Sequence, residues 1–311
     1  MSGLLIALAV AFAWSMGAHY TGACMGMPHA LGAISARRAL LVMAPLTLLG
    51  ATFASHDVER RVGHGLTDGA LGVSAQAAVL GVAFALTALF NRLRIPTSTI
   101  QILVFTVAGV ALATGDGVRW PAIEALAVVW ACAPLAACLL GFGLTRLLDL
   151  AVPPSDKVSQ GGTPLGLGLV LVGGAASFAM GANDVANASG SLVGTGTFSP
   201  LVAGAVGGSG LALGVLTWGR PLLRRVAFEI VAVDRSMATA AQLVQAAVVL
   251  AAVAFGFFTS MNQALVGAMA GAGLARGRET VQRATVIAIV RGWLVGPALG
   301  LGLGFAFGSL A

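Results

Sequence analysis

Ten stretches of apolar residues run through this chain, at 3–34, 39–54, 70–90, 95–114, 121–145, 164–195, 202–218, 239–257, 259–275 and 284–308. About 20 helical residues, at ~1.5 Å rise each, cross a ~30 Å hydrocarbon core. No water completes backbone hydrogen bonds inside that core, so a chain with so many runs has to fold as a bundle of membrane helices. The composition agrees: 58% of the 311 residues are hydrophobic and only 9% are charged, against about 25% charged in an ordinary soluble domain. A soluble globular protein is thereby excluded, and with it a disordered chain and a disulfide scaffold. The 43 glycines suit closely packed and broken transmembrane helices. The three cysteines, Cys24, Cys132 and Cys138, all lie in apolar stretches, and their odd number argues for packing residues. The opening MSGLLIALAVAFAW has the apolar core of a signal peptide but no basic segment before it, and is expected to be the first span.

The formal charge of +6 speaks of topology. A nucleic-acid partner falls with the membrane assignment, and the lipid bilayer is the expected surrounding. The stretches divide five and five about the segment Leu150-Ala-Val-Pro-Pro-Ser-Asp-Lys-Val-Ser-Gln-Gly-Gly162, which has a linker's prolines, glycines and charges. The halves are related. At an offset of 164, Met16-Gly-Ala-His-Tyr-Thr-Gly-Ala-Cys-Met-Gly26 lies over Met180-Gly-Ala-Asn-Asp-Val-Ala-Asn-Ala-Ser-Gly190. At 162, Thr97-Ser98, Gln101, Leu103-Val104, Ala108-Gly109, Leu112-Ala113 and Gly115 recur as Thr259-Ser260, Gln263, Leu265-Val266, Ala270-Gly271, Leu274-Ala275 and Gly277. At 163, Trp130 with Pro134 recurs as Trp293 with Pro297. Three matches in one order indicate a duplicated unit.

A unit with an odd number of spans inserts its second copy upside down. Assigning loops to alternate sides places thirteen of the 17 basic residues on one side, only Arg60, Arg61 and Arg119 on the other, and Arg291 within the last span. By the positive-inside rule the central linker is cytoplasmic and both termini are outside. The expected fold is thus an all-α polytopic membrane protein of two five-span inverted repeats, 1–149 and 164–311, joined by a linker at 150–163. Broken or re-entrant helices are expected to meet near the midplane of a cell inner or plasma membrane.

An ionisable residue deep in a span costs ~2.5–3.5 kcal/mol or more and usually faces a polar cavity or a partner. Nine of the eleven acids, Glu59 among them, fall in loops and Glu124 lies near an interface; Asp184 alone sits at depth. It belongs to Gly181-Ala-Asn-Asp-Val-Ala-Asn-Ala-Ser-Gly190, where Asn183 and Asn187 share a face if the helix is continuous. The motif is either a ligand site or a polar knot joining helices; a carboxylate is a poor choice for glue alone. The second constellation is Pro96-Thr97-Ser98-Thr99 and its repeat Thr259-Ser260-Met261-Asn262, each opening a short apolar segment with Gln101 or Gln263 one turn on. Hydroxyl residues there act as plain N-caps, or, where two helix starts converge, present N–H groups and the positive ends of two dipoles to an oxyanion.

Gly-Ala-Asn-Asp-Val-Ala-Asn-Ala, the repeated hydroxyl-rich helix starts and Trp-x-x-x-Pro late in each half resemble the inorganic phosphate transporter family, called PiT or Pho-4, over essentially the whole chain. The resemblance implies an ion-coupled symporter that imports a tetrahedral oxyanion by alternating access. It implies substrate ligands among Thr97, Ser98, Thr99, Thr259, Ser260, Asn183, Asp184, Gln101 and Gln263. Coupling-ion ligands are implied among Asp184, Asn183, Asn187 and Asn262, with sodium at Asp184 and Asn187; if a proton takes its place, His19, an imidazole of the kind that titrates near the physiological range, is the candidate carrier. No cofactor is implied. The first half departs from the pattern: His19 and Tyr20 stand where Asn183 and Asp184 stand in the second, and Ala23 replaces Asn187. That degenerate motif is similar to the family's sulfate-permease branch. Phosphate can donate a proton to a carboxylate and sulfate cannot, so phosphate is the first substrate and sulfate the alternative. A passive anion channel is a further alternative. An enzyme is not expected: no nucleotide-binding Gly-x-x-x-x-Gly-Lys-[Ser/Thr] occurs, and Asp184 with His19 is the one conceivable acid/base pair. The oligomeric state is open, a homo-oligomer included.

Overall fold

The structure, a computed structural model, describes residues 2–93, 97–151, 164–223, 233–277 and 283–310. Pro96 and residues 152–163 of the expected linker lie outside the described residues. Among the described residues each of the ten apolar stretches contains helix. In chain order the elements are α1 (Ser2–His19), α2 (Thr21–Ala30), α3 (Ala36–Phe53), α4 (His56–His64), α5 (Val73–Leu93), α6 (Thr99–Thr114), α7 (Trp120–Ala151), α8 (Pro164–Asp184), α9 (Ala186–Gly194), α10 (Pro200–Trp218), α11 (Arg235–Ala254), α12 (Met261–Arg276) and α13 (Arg283–Gly308). Among the described residues the one non-helical pairing is an isolated bridge between Thr67 and Val118.

Among the described residues seven segments are long and apolar enough to cross a membrane, with α1–α2 and α8–α9 each counted as one. Both of these composite segments break inside the related motifs, α1–α2 at Tyr20 and α8–α9 at Val185. By contrast α6 and α12 have 16 residues each, about 24 Å of helix, short of a ~30 Å core. They leave the middle of the molecule in opposite directions. α6 ends beside the 66–68 loop next to α4, where Asp68 N–H donates to the Gly117 carbonyl and Arg119 N–H to that of Leu66. α12 ends at Arg276, which bonds Asp149 and Asp234 at the ends of α7 and α11.

Helix packing in lipid rests on close van der Waals approach, since the hydrocarbon already solvates apolar side chains. α3 lies on α8, α1 on α10, α6 on α13 and α12 on α7. Glycines set these distances: a methyl on Gly181 would overlap the Thr47 carbonyl oxygen, and one on Gly50 that of Phe178. α7 lies at the periphery and turns Leu135, Leu139 and Leu147 outward. This corrects the expectation for the cysteines, for only Cys24 is buried, whereas Cys132 is exposed and Cys138 half-buried. It also corrects Glu59, which lies in α4 and is fully buried.

Gly181→Ala is expected to lower stability by about 2 kcal/mol through overpacking, whereas Gly168→Ala, where a methyl meets nothing within 4 Å, is expected to be neutral or stabilising. Thermal unfolding of the two variants in detergent checks the pair.

Candidate functional site

The centre of the molecule is polar. Thr97, Ser98, Thr99, Asn183, Asp184, Asn187, Thr259, Ser260, Asn262 and Gln263 are all buried, together with His19, Tyr20 and Gln101. Every site residue singled out from the sequence therefore falls into one cluster.

The starts of α6 and α12 organise it. Ser98 is the N-cap of α6, its hydroxyl accepting from Gln101 N–H at 3.3 Å, and Ser260 caps α12 through Gln263 N–H at 3.3 Å. One turn on, the Gln101 and Gln263 side chains bond each other reciprocally, Nε2 to Oε1, at 3.5 and 3.3 Å. The two helix starts do converge. First-turn N–H groups have no acceptor within their own helix, and the positive ends of both dipoles point into the same small volume.

A different clasp holds each start. Asn183 pairs with the backbone of Thr259 as a strand neighbour would: Nδ2 donates to its carbonyl at 2.8 Å and Oδ1 accepts from its N–H at 3.0 Å. Nδ2 also reaches Asp184 Oδ2 at 3.1 Å. On the α6 side, Asn262 Nδ2 donates to the Thr97 carbonyl at 2.9 Å and lies 3.2 Å from His19 Nε2. Asn91 Nδ2 donates to the Ser15 carbonyl at 2.8 Å, which turns its Oδ1 toward His19 Nδ1 at 2.5 Å. A neutral imidazole protonated on Nδ1 donates to Asn91 and accepts from Asn262, and its Nε2, which also lies 3.2 Å from the Thr97 carbonyl, then has no proton to give that oxygen. Toward the Thr97 carbonyl the donor is thus Asn262, with His19 beside it.

A continuous helix would put Asn183 and Asn187 on one face. The helix is interrupted at Val185, whose own backbone stays in the right-handed helical region. Asn183 turns to Thr259, while Asn187 Nδ2 reaches Thr99 Oγ1 at 3.4 Å. Thr99 Oγ1 also meets the Tyr20 hydroxyl at 2.7 Å, and that hydroxyl lies against the Asp184 carboxylate. With the two serine hydroxyls engaged as caps, five buried oxygens in this cluster have no partner: Thr97 Oγ1, Thr259 Oγ1, Asp184 Oδ1, Asn187 Oδ1 and Asn262 Oδ1. Unpartnered buried polar atoms are costly and uncommon. The two hydroxyls can donate to an oxyanion; the carboxylate and amide oxygens suit a hard cation. No group of three or more metal-binding His, Cys, Asp or Glu side chains occurs among the described residues.

Comparison with known proteins decides the lineage. The family model described as the phosphate transporter family matches residues 16–162 and 157–304. The chain belongs to that family. A protein of Pyrococcus abyssi assigned as a phosphate permease is 25% identical, over 94% of this chain and 93% of its own. The sulfate permease CysP of Bacillus subtilis is 27% identical, over 96% of this chain and 85% of its own. A solved structure, that of a protein named the sodium-dependent phosphate transporter, superposes with a TM-score of 0.89 at 22% identity, covering 100% of this chain and 99% of that one. The fold is therefore that of a membrane transporter.

Several polar residues of this family member escaped the sequence. Gln242 donates to the Cys24 and Ala23 carbonyls at 2.5 and 3.2 Å and Gln245 to that of Met261 at 3.3 Å, each keeping an unpartnered Oε1. Two glutamines three apart in an apolar span were the available signal. Asn91, beside Arg92 at a span end, resembled an interfacial residue. Glu59 had no signal; its neighbours on α4 are charged. Its Oε1 lies 2.5 Å from Ser189 Oγ, which is itself 2.9 Å from the Val185 carbonyl at the break. A hydroxyl has one proton, so Ser189 donates to Glu59 or to the Val185 carbonyl, not to both at once.

Burial pushes the Glu59 carboxyl up from 4.5 to about 7, with the Ser189 and Ser55 hydroxyls acting in the opposite sense. Between those values the folded protein holds a proton that the unfolded chain has released, so stability falls as pH rises through the window and is level above it. Glu59→Gln is expected to flatten this fall and to raise the melting temperature at pH 8, as measured by thermal unfolding from pH 5 to 8.

Proposed function

We propose that the protein is a cation-coupled symporter that imports an inorganic oxyanion, phosphate in the first place, by alternating access between two inverted repeats of five membrane segments. The observation that carries this is the meeting of two helix starts at Gln101 and Gln263, with the unpartnered oxygens of Thr97, Thr259, Asp184, Asn187 and Asn262 around it. First-turn N–H groups of α6 and α12, with the Thr97 and Thr259 hydroxyls, donate to the anion from both sides. Asp184 accepts a proton of phosphate or faces the coupling cation. Sodium is favoured over a proton as that cation. Carboxylate and amide oxygens are its natural ligands, and His19, the residue suited to carry a proton, has both ring nitrogens engaged, with Asn91 and Asn262. The superposed transporter is named as sodium-dependent, which supports the same choice.

The opposite directions of α6 and α12, and the exchange of partners by which α3 lies on α8 and α1 on α10, support the inverted duplication. With the central linker cytoplasmic, α4 and both termini lie outside. Movement of one half against the other about the site would carry the anion across without covalent chemistry.

One observation favours sulfate as a second reading. Where a twin of Asp184 would stand, Tyr20 presents a neutral hydroxyl already bonded to Thr99, and sulfate has no proton for an acid to accept. The sulfate permease of B. subtilis is also among the relatives.

Uptake of labelled phosphate and sulfate by purified protein in liposomes, with sodium and proton gradients set separately, tests the proposal. Concentrative phosphate uptake driven by sodium is the expected result; uptake that only equilibrates would mean a passive pore. Asp184→Asn, which keeps volume and removes charge, is expected to cut uptake at least about tenfold with folding intact; wild-type rates in that variant would remove Asp184 from the mechanism. Thr97→Val and Thr259→Val each exchange an unpartnered hydroxyl for a methyl. Each is expected to raise the half-saturating concentration roughly tenfold, the worth of one hydrogen bond to a charged group. Unchanged half-saturation in both would refute the paired site.

A further inference from the structure

The face that carries α4 holds a second polar feature outside the central cluster. α11 ends at Ala254, and the chain turns back through Phe255 and Gly256 into the extended residues before α12. Over this turn α4 lays Asp57, Arg60, Arg61 and His64, which with Phe255 and Gly256 bound a surface cavity of about 580 Å³. The Arg61 guanidinium carbon stands 4.2 Å from the centre of the Phe257 ring. Gly256 has φ +67°, a turn conformation that favours glycine, and lies beside the Arg61 guanidinium. Arg119 arrives from another loop, donating to the His64 carbonyl at 3.4 Å and pairing with Asp68 at 3.6 Å.

All three arginines assigned by loop charge to this side therefore gather around one short helix. Arg119 is committed to Asp68, and Glu59 points the other way, to Ser189. Asp57 alone offsets Arg60 and Arg61 at the cavity, leaving it cationic. From its floor at Gly256 two aromatic residues lead inward, half-buried Phe257 and fully buried Phe258, and the next two are Thr259 and Ser260 of the central cluster. Trp130 Nε1 fixes the Phe258 carbonyl at 3.1 Å.

We infer, on the premise of the uptake proposed above, that Arg60, Arg61 and His64 form an outer capture site for a tetrahedral oxyanion, and that Phe257 and Phe258 stand between this site and the paired helix starts. Guanidinium groups present forked donors suited to oxyanions, and a cationic concavity raises the local concentration of an anion before it binds more deeply. The guanidinium that meets the anion at Arg61 is also the one resting on Phe257, so capture acts directly on the ring closing the way inward. The same donors would take a lipid phosphate, and the test separates the two sources.

The experiment is labelled phosphate and sulfate uptake by the full chain in liposomes of phosphatidylcholine, with and without phosphatidylglycerol, at low and high ionic strength. For Arg60→Gln/Arg61→Gln the half-saturating concentration is expected to rise about three- to tenfold at low ionic strength, with the maximal rate kept. The difference should shrink as salt screens exposed charge and be the same in both lipid mixtures. Arg60→Lys/Arg61→Lys is expected to recover most of the loss. Arg60→Gln alone, on an exposed side chain, gives a smaller change of the same sign and serves if the double variant folds poorly. Wild-type half-saturation in the glutamine variants overturns the capture site, as does a difference seen only with phosphatidylglycerol, which assigns the arginines to headgroups. Wild-type protein that accumulates neither anion refutes the uptake function itself, a failure visible before any variant is compared.

Discussion

Two helices start inside the apolar interior of this protein, and the rest of the structure accommodates that fact. The N–H groups of a first helical turn and the irregular backbone before it have no water to meet at membrane depth, and leaving them unpaired costs several kcal/mol each. Ser98 and Ser260 satisfy one donor apiece as N-caps. Asn183 satisfies both backbone groups of Thr259, and Asn262 secures the Thr97 carbonyl. The breaks at Tyr20 and Val185 exist where those side chains are needed, and the glycine contacts of α3 with α8 let the surrounding helices close on them.

The two clasps differ in chemistry although their positions correspond. An amide is matched to backbone in the second half. In the first half the amide comes from across the cluster, and an imidazole supported from behind by Asn91 and Ser15 holds that amide. As a result only one carboxylate, Asp184, faces the centre, with the Tyr20 hydroxyl beside it. An acid suits a protonated anion or a cation and a phenol suits neither as well, which is why the exchange at position 20 bears on the anion carried.

Much of this arrangement is legible in the residues themselves. Ser98 and Ser260 stand out because N-capping is a local event that depends on residues three apart. Asp184 stands out because a charge in a long apolar run has no cheap explanation. The partners of Asn183 and Asn187 are not legible locally, because Thr259 and Thr99 come from distant segments. Glu59 is hidden for the same reason. Its charged neighbours Asp57, Arg60 and Arg61 describe an exposed helix face, while its burial is decided by the approach of α9, where Gly63, Gly190 and Gly194 bring the backbones together.

The membrane setting, the all-helical class and the placement of a dozen polar residues into two constellations came from the sequence alone, because hydropathy, capping and charge each act over a few residues. The joining of the two constellations came from the tertiary fold. Gln101 and Gln263 are 162 residues apart, as are the two caps, and nothing local to either tells that they face each other. Helix packing brought them together, and in doing so it engaged the serine hydroxyls in caps and left the threonine hydroxyls, one residue earlier in each half, without a partner.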